Sequence, residues 1–166
     1  MLLDIGGYFS ACAEDLRHAI HLLGIVEDTE KGHQKYERRP PSVPVLSVER
    51  SRFKRAEDYH VGRSVVYSSE ALLRGSEAPR IGKTALVIGY GKIGQSIASD
   101  LARRGVRVLV ADADPTQRVW AATKGYAVPP KSEALPQADL IYAATGNRSL
   151  AEGEFRLLKR GPASSR

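Results

Sequence analysis

The clearest pattern of apolar and polar positions lies in the middle of the chain. Lys83-Thr-Ala-Leu-Val-Ile88 is a short apolar run, long enough for a strand and too short for a helix. Gly89-Tyr-Gly-Lys-Ile-Gly94 follows directly. Ile93, Ile97, Ala98, Leu101 and Ala102 then recur at helical spacing up to Gly105, which reads as a C-terminal stop. Arg107–Ala111 predicts a second strand, ending in Asp112-Ala-Asp114. Asp114 and Pro115 make a helix start and Gly125 a stop. Tyr126–Val128 predicts a short third strand, and Asp139–Ala144 a fourth that runs into Thr145-Gly-Asn147.

The first 79 residues are less orderly. Leu2 and Leu3 run into Asp4 and a Gly6-Gly7 turn. A helix is expected over about Ser10–Leu23, with Cys12, Leu16, Ala19, Ile20 and Leu23 on its apolar face, which makes Cys12 a core residue. Gly24–Val26 and Val43–Val48 read as strand pieces around a polar, Pro-interrupted stretch. Val61, Val65 and Leu72 predict a helix ending near Gly75, with a loop to Arg80. Strands alternating with helices imply an α/β fold with a doubly wound parallel sheet of Rossmann type. A sheet whose first strand starts at residue 2 is expected to be incomplete. The expected organisation is a fragment of a second α/β domain over 1–60, a partial Rossmann domain over 61–160 with a helix over 151–160, and a disordered tail over 161–166.

Composition narrows the partners. The 166 residues hold 25 Lys+Arg against 19 Asp+Glu, a formal charge of +6. The excess is not laid out as a nucleic-acid reader would have it. Arg50, Arg52, Lys54 and Arg55 cluster, but Glu57 and Asp58 follow at once, and no stripe of cations interleaved with aromatics exists. Basic surface facing the phosphates of a small ligand accounts for the charge, so no nucleic acid is expected. No run of about 18 apolar residues occurs, and no membrane span is expected. Cys12 is the only cysteine, which excludes an internal disulfide and a multi-thiolate metal centre and fits a cytoplasmic location. The four histidines form no HExxH-type pair, so no metal is expected.

The Gly89–Gly94 motif gains weight from its context: a strand before it, a helix after it, and an acidic residue at the end of the next strand. Gly89 permits the tight turn, Gly91 lets backbone approach a pyrophosphate, and Gly94 lets helix pack closely on strand. The pyrophosphate would sit at the open N–H groups of the helix N-terminus. Asp112, eighteen residues past Gly94, is placed to accept hydrogen bonds from the adenosine ribose hydroxyls. Its charge repels a 2′-phosphate and so favours NAD over NADP. Other candidates carry plainer readings. Asp4 and Asp28 form an acid/base pair or are ordinary strand-end acids, and Thr29 binds a ligand or caps a helix. Trp120 and Tyr126 are expected to be packing residues, and His33 and His60 have no assigned role.

Taken in order, Asp4-Ile-Gly-Gly7, Gly24-Ile-Val-Glu-Asp-Thr-Glu-Lys-Gly32, Ser47-Val-Glu-Arg-Ser-Arg-Phe53, Gly89-Tyr-Gly-Lys-Ile-Gly94, Asp112-Ala-Asp-Pro115 and Ala144-Thr-Gly-Asn147 resemble S-adenosylhomocysteine hydrolase, most strongly over 81–147. The resemblance implies a tightly held NAD that oxidises the substrate's 3′-hydroxyl and recovers its hydride at the end of each turnover. It implies cofactor contacts from Gly89, Tyr90, Gly91, Lys92, Ile93, Gly94 and Asn147, from Asp112 in place of the family's Glu, and from Thr29, the first of three threonines of which Glu30 and Lys31 replace the others. It also implies a homo-oligomer with a nucleoside-type ligand and a place in one-carbon metabolism.

The catalytic half of the resemblance transfers less well. Ile5 replaces a catalytic Asp, Asp28 a Glu, Arg50 the catalytic Lys, and Lys54 the Asp four positions later; Arg55 aligns with the following Asn. Asp28 is the remaining catalytic candidate. An arginine cannot give up its proton near neutral pH, whereas a desolvated lysine can. The expected function is therefore that of an NAD-binding domain of a hydrolase-like protein that is inactive by itself. The alternatives are a diverged NAD-dependent enzyme active in a longer chain or with a partner subunit, and a non-catalytic nucleotide-binding or assembly module.

Overall fold

The computed structural model describes residues 1–74 and 82–159; the loop expected before Arg80 and the tail over 161–166 lie outside the described residues. The chain divides into two compact units, Met1–Ala56 and Glu57–Arg166. Each is an α/β layer built on a three-stranded parallel sheet.

The first unit contains β1 (Leu2–Asp4), α1 (Ala13–Ile20), β2 (Ile25–Glu27), α2 (Glu30–Arg38) and β3 (Val45–Ser47), with strands in the order β1-β2-β3. Ile25 is the centre of its small core, with Ala13, Leu22, Tyr36 and Val43 around it. The helix expected over Ser10–Leu23 is shorter at both ends. It stops at His21, which adopts a left-handed conformation (φ 48°), so the chain swings Leu22 inward and leaves Ile20 and Leu23 exposed. Cys12 is not core: it stands half-buried at the N-terminal boundary of α1. The polar stretch after Thr29 folds as α2, which buries only Gly32 and Tyr36. One aromatic gives too little periodicity to be read as an amphipathic helix.

The long helix α3 (Lys54–Arg74) starts in the first unit and runs through the second. β4 (Thr84–Ile88), α4 (Lys92–Arg103), β5 (Arg107–Ala111), α5 (Pro115–Thr123), α6 (Lys131–Ala134) and β6 (Leu140–Ala143) follow, with the sheet in the order β5-β4-β6. Period-two alternation sends Ala85 and Val87 to one face, against Val66, Ile97 and Leu101. Leu86 and Ile88 go to the other, against Ala134, Leu135 and Ala138. Burial on both faces is what a central parallel strand requires. α3 and α4 approach closely at Gly62, where a Cβ would lie 2.5 Å from the Ser96 Cβ, and Ser96 Oγ donates to the Tyr59 carbonyl at 2.6 Å.

Three expectations change here. Tyr126–Val128 is reduced to a single bridge between Ala127 and Leu109, since Pro129 and Pro130 supply no N–H to continue a ladder. Trp120 is 54% exposed and packs little, whereas Tyr126 stands edge-on to Tyr90 at 5.9 Å. The terminal helix is a 3₁₀ segment over Glu152–Leu157.

The sharpest steric constraint is at Gly94. A Cβ there would lie 2.0 Å from the Gly89 carbonyl oxygen, whereas a Cβ on Gly91 would meet nothing within 4 Å. Gly94→Ala should therefore lower stability by about 3 kcal/mol, and Gly91→Ala by less than about 0.5 kcal/mol. Urea unfolding of both variants checks this; equal midpoints would show that α4 retreats without strain.

Candidate functional site

The second unit places its chemistry where β4 is flanked by strands that leave it in opposite directions. In an open α/β sheet, that crevice outside the carboxyl ends of the strands is where ligands bind. Gly89 makes the turn out of β4 with φ 93°. Its N–H donates to the Ala111 carbonyl at 2.8 Å, and a Cβ on it would lie 2.7 Å from the Ala144 oxygen. Gly91 begins the twelve-residue α4 without a side-chain cap, and a Cβ on it would meet nothing within 4 Å. An uncapped helix N-terminus of this kind suits an anion, and the absence of a Cβ at Gly91 leaves room for one.

Asp112 closes one side of the crevice. One carboxylate oxygen accepts from the Tyr90 N–H at 2.5 Å and the other from the Asp114 N–H at 2.8 Å. Asp114 in turn caps α5 through the Thr116 N–H at 2.8 Å. Arg118, one turn into α5, donates from Nη1 to the carbonyls of Asp112 and Ala113, both at 2.9 Å. A cleft of about 540 Å³ opens beside these residues, with walls from Ile88, Val128, Pro129 and Pro130 and with Asp112, Arg118, Lys131 and Arg148 on its rim. Apolar walls with a few polar groups suit a flat aromatic base joined to a polyol. In the same helix turn, Gln117 Oε1 is buried without a hydrogen-bond partner.

The side chains of the other motif residues are engaged within the chain. The Tyr90 ring is buried against Tyr126, and that burial pushes its hydroxyl up to about 12. Ile93 packs against the core, and Lys92 Nζ lies 3.7 Å from the buried Asp58 carboxylate. Asn147 is exposed in the turn after β6, where its carbonyl accepts from Thr145 Oγ1 at 2.6 Å.

In the first unit, the candidate acids go to different partners. Asp4 is buried and accepts from the Tyr8 and Phe9 N–H groups at 3.1 Å and from the Tyr36 hydroxyl at 2.6 Å. Burial, with Asp4 alongside, raises the Tyr36 hydroxyl well above its ordinary value. Asp28 accepts from Lys54 Nζ at 3.0 Å. Arg50 reaches Glu30 at 2.9 Å and holds that carboxyl below the usual range. Thr29 caps α2, accepting from the Gly32 N–H at 3.0 Å and donating to Glu27 at 2.8 Å. Among the described residues no group of His, Cys, Asp or Glu is arranged to hold a metal, and no helix is long and apolar enough to cross a membrane.

Glu27 is the residue that the sequence pattern hides. Its carboxylate is fully buried and accepts from the N–H groups of Gly6, Gly7 and Thr29 and from the Thr29 hydroxyl, at 2.7–2.9 Å. An acid at a strand end beside a second acid carries no signal of this kind.

Residues 59–161 match the family model of the S-adenosyl-L-homocysteine hydrolase NAD-binding domain. The chain belongs to that family. Its cofactor is NAD. The chain is 31% identical to the adenosylhomocysteinase of Thermotoga maritima over 169 aligned residues, a match covering 96% of this chain and 41% of that protein. Among solved structures it resembles a dipicolinate synthase from Bacillus halodurans (TM-score 0.64, 13% identity, 81% of this chain and 47% of that one). It also resembles a phosphoglycerate oxidoreductase from Vibrio cholerae (TM-score 0.60, 15% identity, 95% and 72%). At these identities the likeness is one of fold, and it extends the Rossmann reading of this S-adenosylhomocysteine hydrolase domain beyond its own family.

Glu27→Gln would turn an amide N–H against backbone N–H donors. The amides of β1–β3 should then lose protection from hydrogen exchange by the equivalent of about 2–4 kcal/mol, while those of β4–β6 keep theirs. Uniform loss in both sheets would mean that Glu27 is not a local anchor.

Proposed function

We propose that this chain is the cofactor-holding part of an S-adenosylhomocysteine hydrolase-like protein. It binds NAD through Gly89, Tyr90, Gly91, Lys92, Ile93, Gly94, Asp112 and Asn147, with Thr29 the matching position in the first unit. The observation that carries the reading is the contrast within one motif: Gly94 has no room for a side chain because fold fills it, and Gly91 has room that nothing in the chain fills. The uncapped start of α4 suits the pyrophosphate, and the cleft beside Asp112 suits the adenosine. NAD, when bound, supplies a hydride acceptor; the residues of this chain bind and orient it.

NAD should bind more tightly than NADP, and Asp112→Ala should narrow the gap. Gly91→Val should weaken NAD at least about tenfold with little change in melting temperature, because its side chain enters the anion cradle and not the core. Calorimetric titration with both cofactors tests this. Wild-type protein that binds neither would end the reading.

The chain spans about two fifths of the length of the curated relative it matches, so the activity of a whole protein is part of the proposal. We read this chain as lacking hydrolase activity by itself. Ile5 cannot carry a proton, Arg50 is paired with Glu30, and Lys54 is paired with Asp28. General acid–base assistance is worth about 10²–10⁴-fold, and these are the positions that would provide it. A non-catalytic nucleotide-binding or assembly module fits these pairings better than a diverged NAD-dependent enzyme completed by a longer chain or a partner subunit. A cytoplasmic homo-oligomer belongs to the same reading: β6 is an edge strand of its sheet among the described residues, and edges recruit further strands. Incubation with S-adenosylhomocysteine should release no homocysteine above background. Release proportional to protein, and lost in Gly91→Val, would overturn the non-catalytic reading.

A further inference from the structure

We infer that Arg118 is a second determinant of cofactor choice, acting against Asp112 by accommodating a 2′-phosphate on the adenosine ribose. The inference rests on the cofactor reading proposed above, and it concerns the rim of the same cleft. A lone carboxylate at the end of β5 would reject a 2′-phosphate by repulsion. Here the carboxylate does not stand alone. Both of its oxygens accept backbone N–H groups, from Tyr90 and Asp114, which draws its charge into the loop. Arg118 lies immediately beside it, fixed by two hydrogen bonds from Nη1 to the carbonyls of Asp112 and Ala113. Those bonds use at most two of the five N–H donors of a guanidinium, and the side chain lines the cleft. An arginine held in this way has little rotamer freedom left to lose when it meets a phosphate, and its fork geometry matches phosphate oxygens. Arg148 adds a further cation to the cleft, whereas the Lys131 ammonium, also at the cleft, is paired with Glu154 at 2.8 Å. The guanidinium of Arg118 beside Asp112 thus offsets part of the repulsion that the carboxylate exerts on a 2′-phosphate.

The experiment is a titration of the full chain, wild type, Arg118→Ala and Arg118→Lys, with NAD⁺ and NADP⁺ followed by calorimetry at two salt concentrations. Arg118→Ala should weaken NADP⁺ about tenfold and NAD⁺ less than about threefold, which widens the preference for NAD⁺. Arg118→Lys should keep part of the NADP⁺ affinity, and added salt should weaken NADP⁺ more than NAD⁺ in wild type. Arg118→Ala that weakens both cofactors equally would assign Arg118 to the adenine or to the loop and overturn the inference, as would no change in either. Arg118 is exposed, and a thermal melt of each variant separates loss of binding from loss of fold. Failure of wild type to bind NAD⁺ would overturn the cofactor reading itself, a result distinct from an unchanged selectivity ratio.

Discussion

The second unit depends on the contact between the Cα of Gly94 and the carbonyl of Gly89. At that point helix and strand approach so closely that the smallest side chain would overlap the backbone by more than about 1 Å relative to ordinary contact. The approach has consequences in three directions. It brings Ile97 and Leu101 down onto Val87 and Val110, which closes one face of the sheet. It pins the Gly89 turn between the ends of β5 and β6, through Ala111 and Ala144. It also leaves Gly91, at the start of α4, with open space where a side chain would be. Gly94 thus meets a packing requirement, and Gly91, three positions earlier, leaves the room that the proposed cofactor binding needs.

The first unit uses a different anchor. β1, β2 and β3 are three residues each, too short to supply much buried area. Burying an anion costs several kcal/mol unless it is fully hydrogen-bonded, and Glu27 is surrounded by four donors. The Gly6-Gly7 turn and the start of α2 are tied to one carboxylate. Gly32 is needed because a Cβ there would lie 2.1 Å from the Glu27 Cδ. Asp4 repeats the device one strand away, with the Tyr36 hydroxyl as its third donor.

These two anchors explain what was legible in the sequence. The Rossmann half could be read because its signals are local and periodic: an apolar run, a glycine motif, helical spacing and an Asp-Pro helix start. β5 falls on the expected residues, and Asp114 caps α5 as its type and place require. The first unit was harder because its order comes from polar atoms meeting across the chain. Glu27 contacts residues 20 and 21 positions away, and no periodicity records that. The same applies to α1, where one left-handed residue, His21, exchanges Leu22 for Leu23 in the core. In the candidate site, the glycines and Asp112 could be read from spacing. Arg118, Lys131 and the two prolines could not, because the cleft forms only when the turns after β5 and before α6 come together.

Binding and catalysis make different demands on side chains, and that difference is visible here. A binding crevice needs backbone donors, shape and a fixed field, and glycines with one acid and a few cations provide these. An acid–base site needs groups that exchange a proton during the reaction, so they cannot all be locked in ion pairs with partners of their own chain. In the first unit Arg50 is locked to Glu30 and Lys54 to Asp28, at 2.9 and 3.0 Å. Each pair joins a cation at a position where the family resemblance implies catalysis to an acid earlier in the chain. The start of α4 in the second unit has no such closure: a Cβ on Gly91 would meet nothing within 4 Å. That space, beside ion pairs at the positions to which the family resemblance assigns acid–base chemistry, is the physical ground on which we propose cofactor binding without hydrolysis.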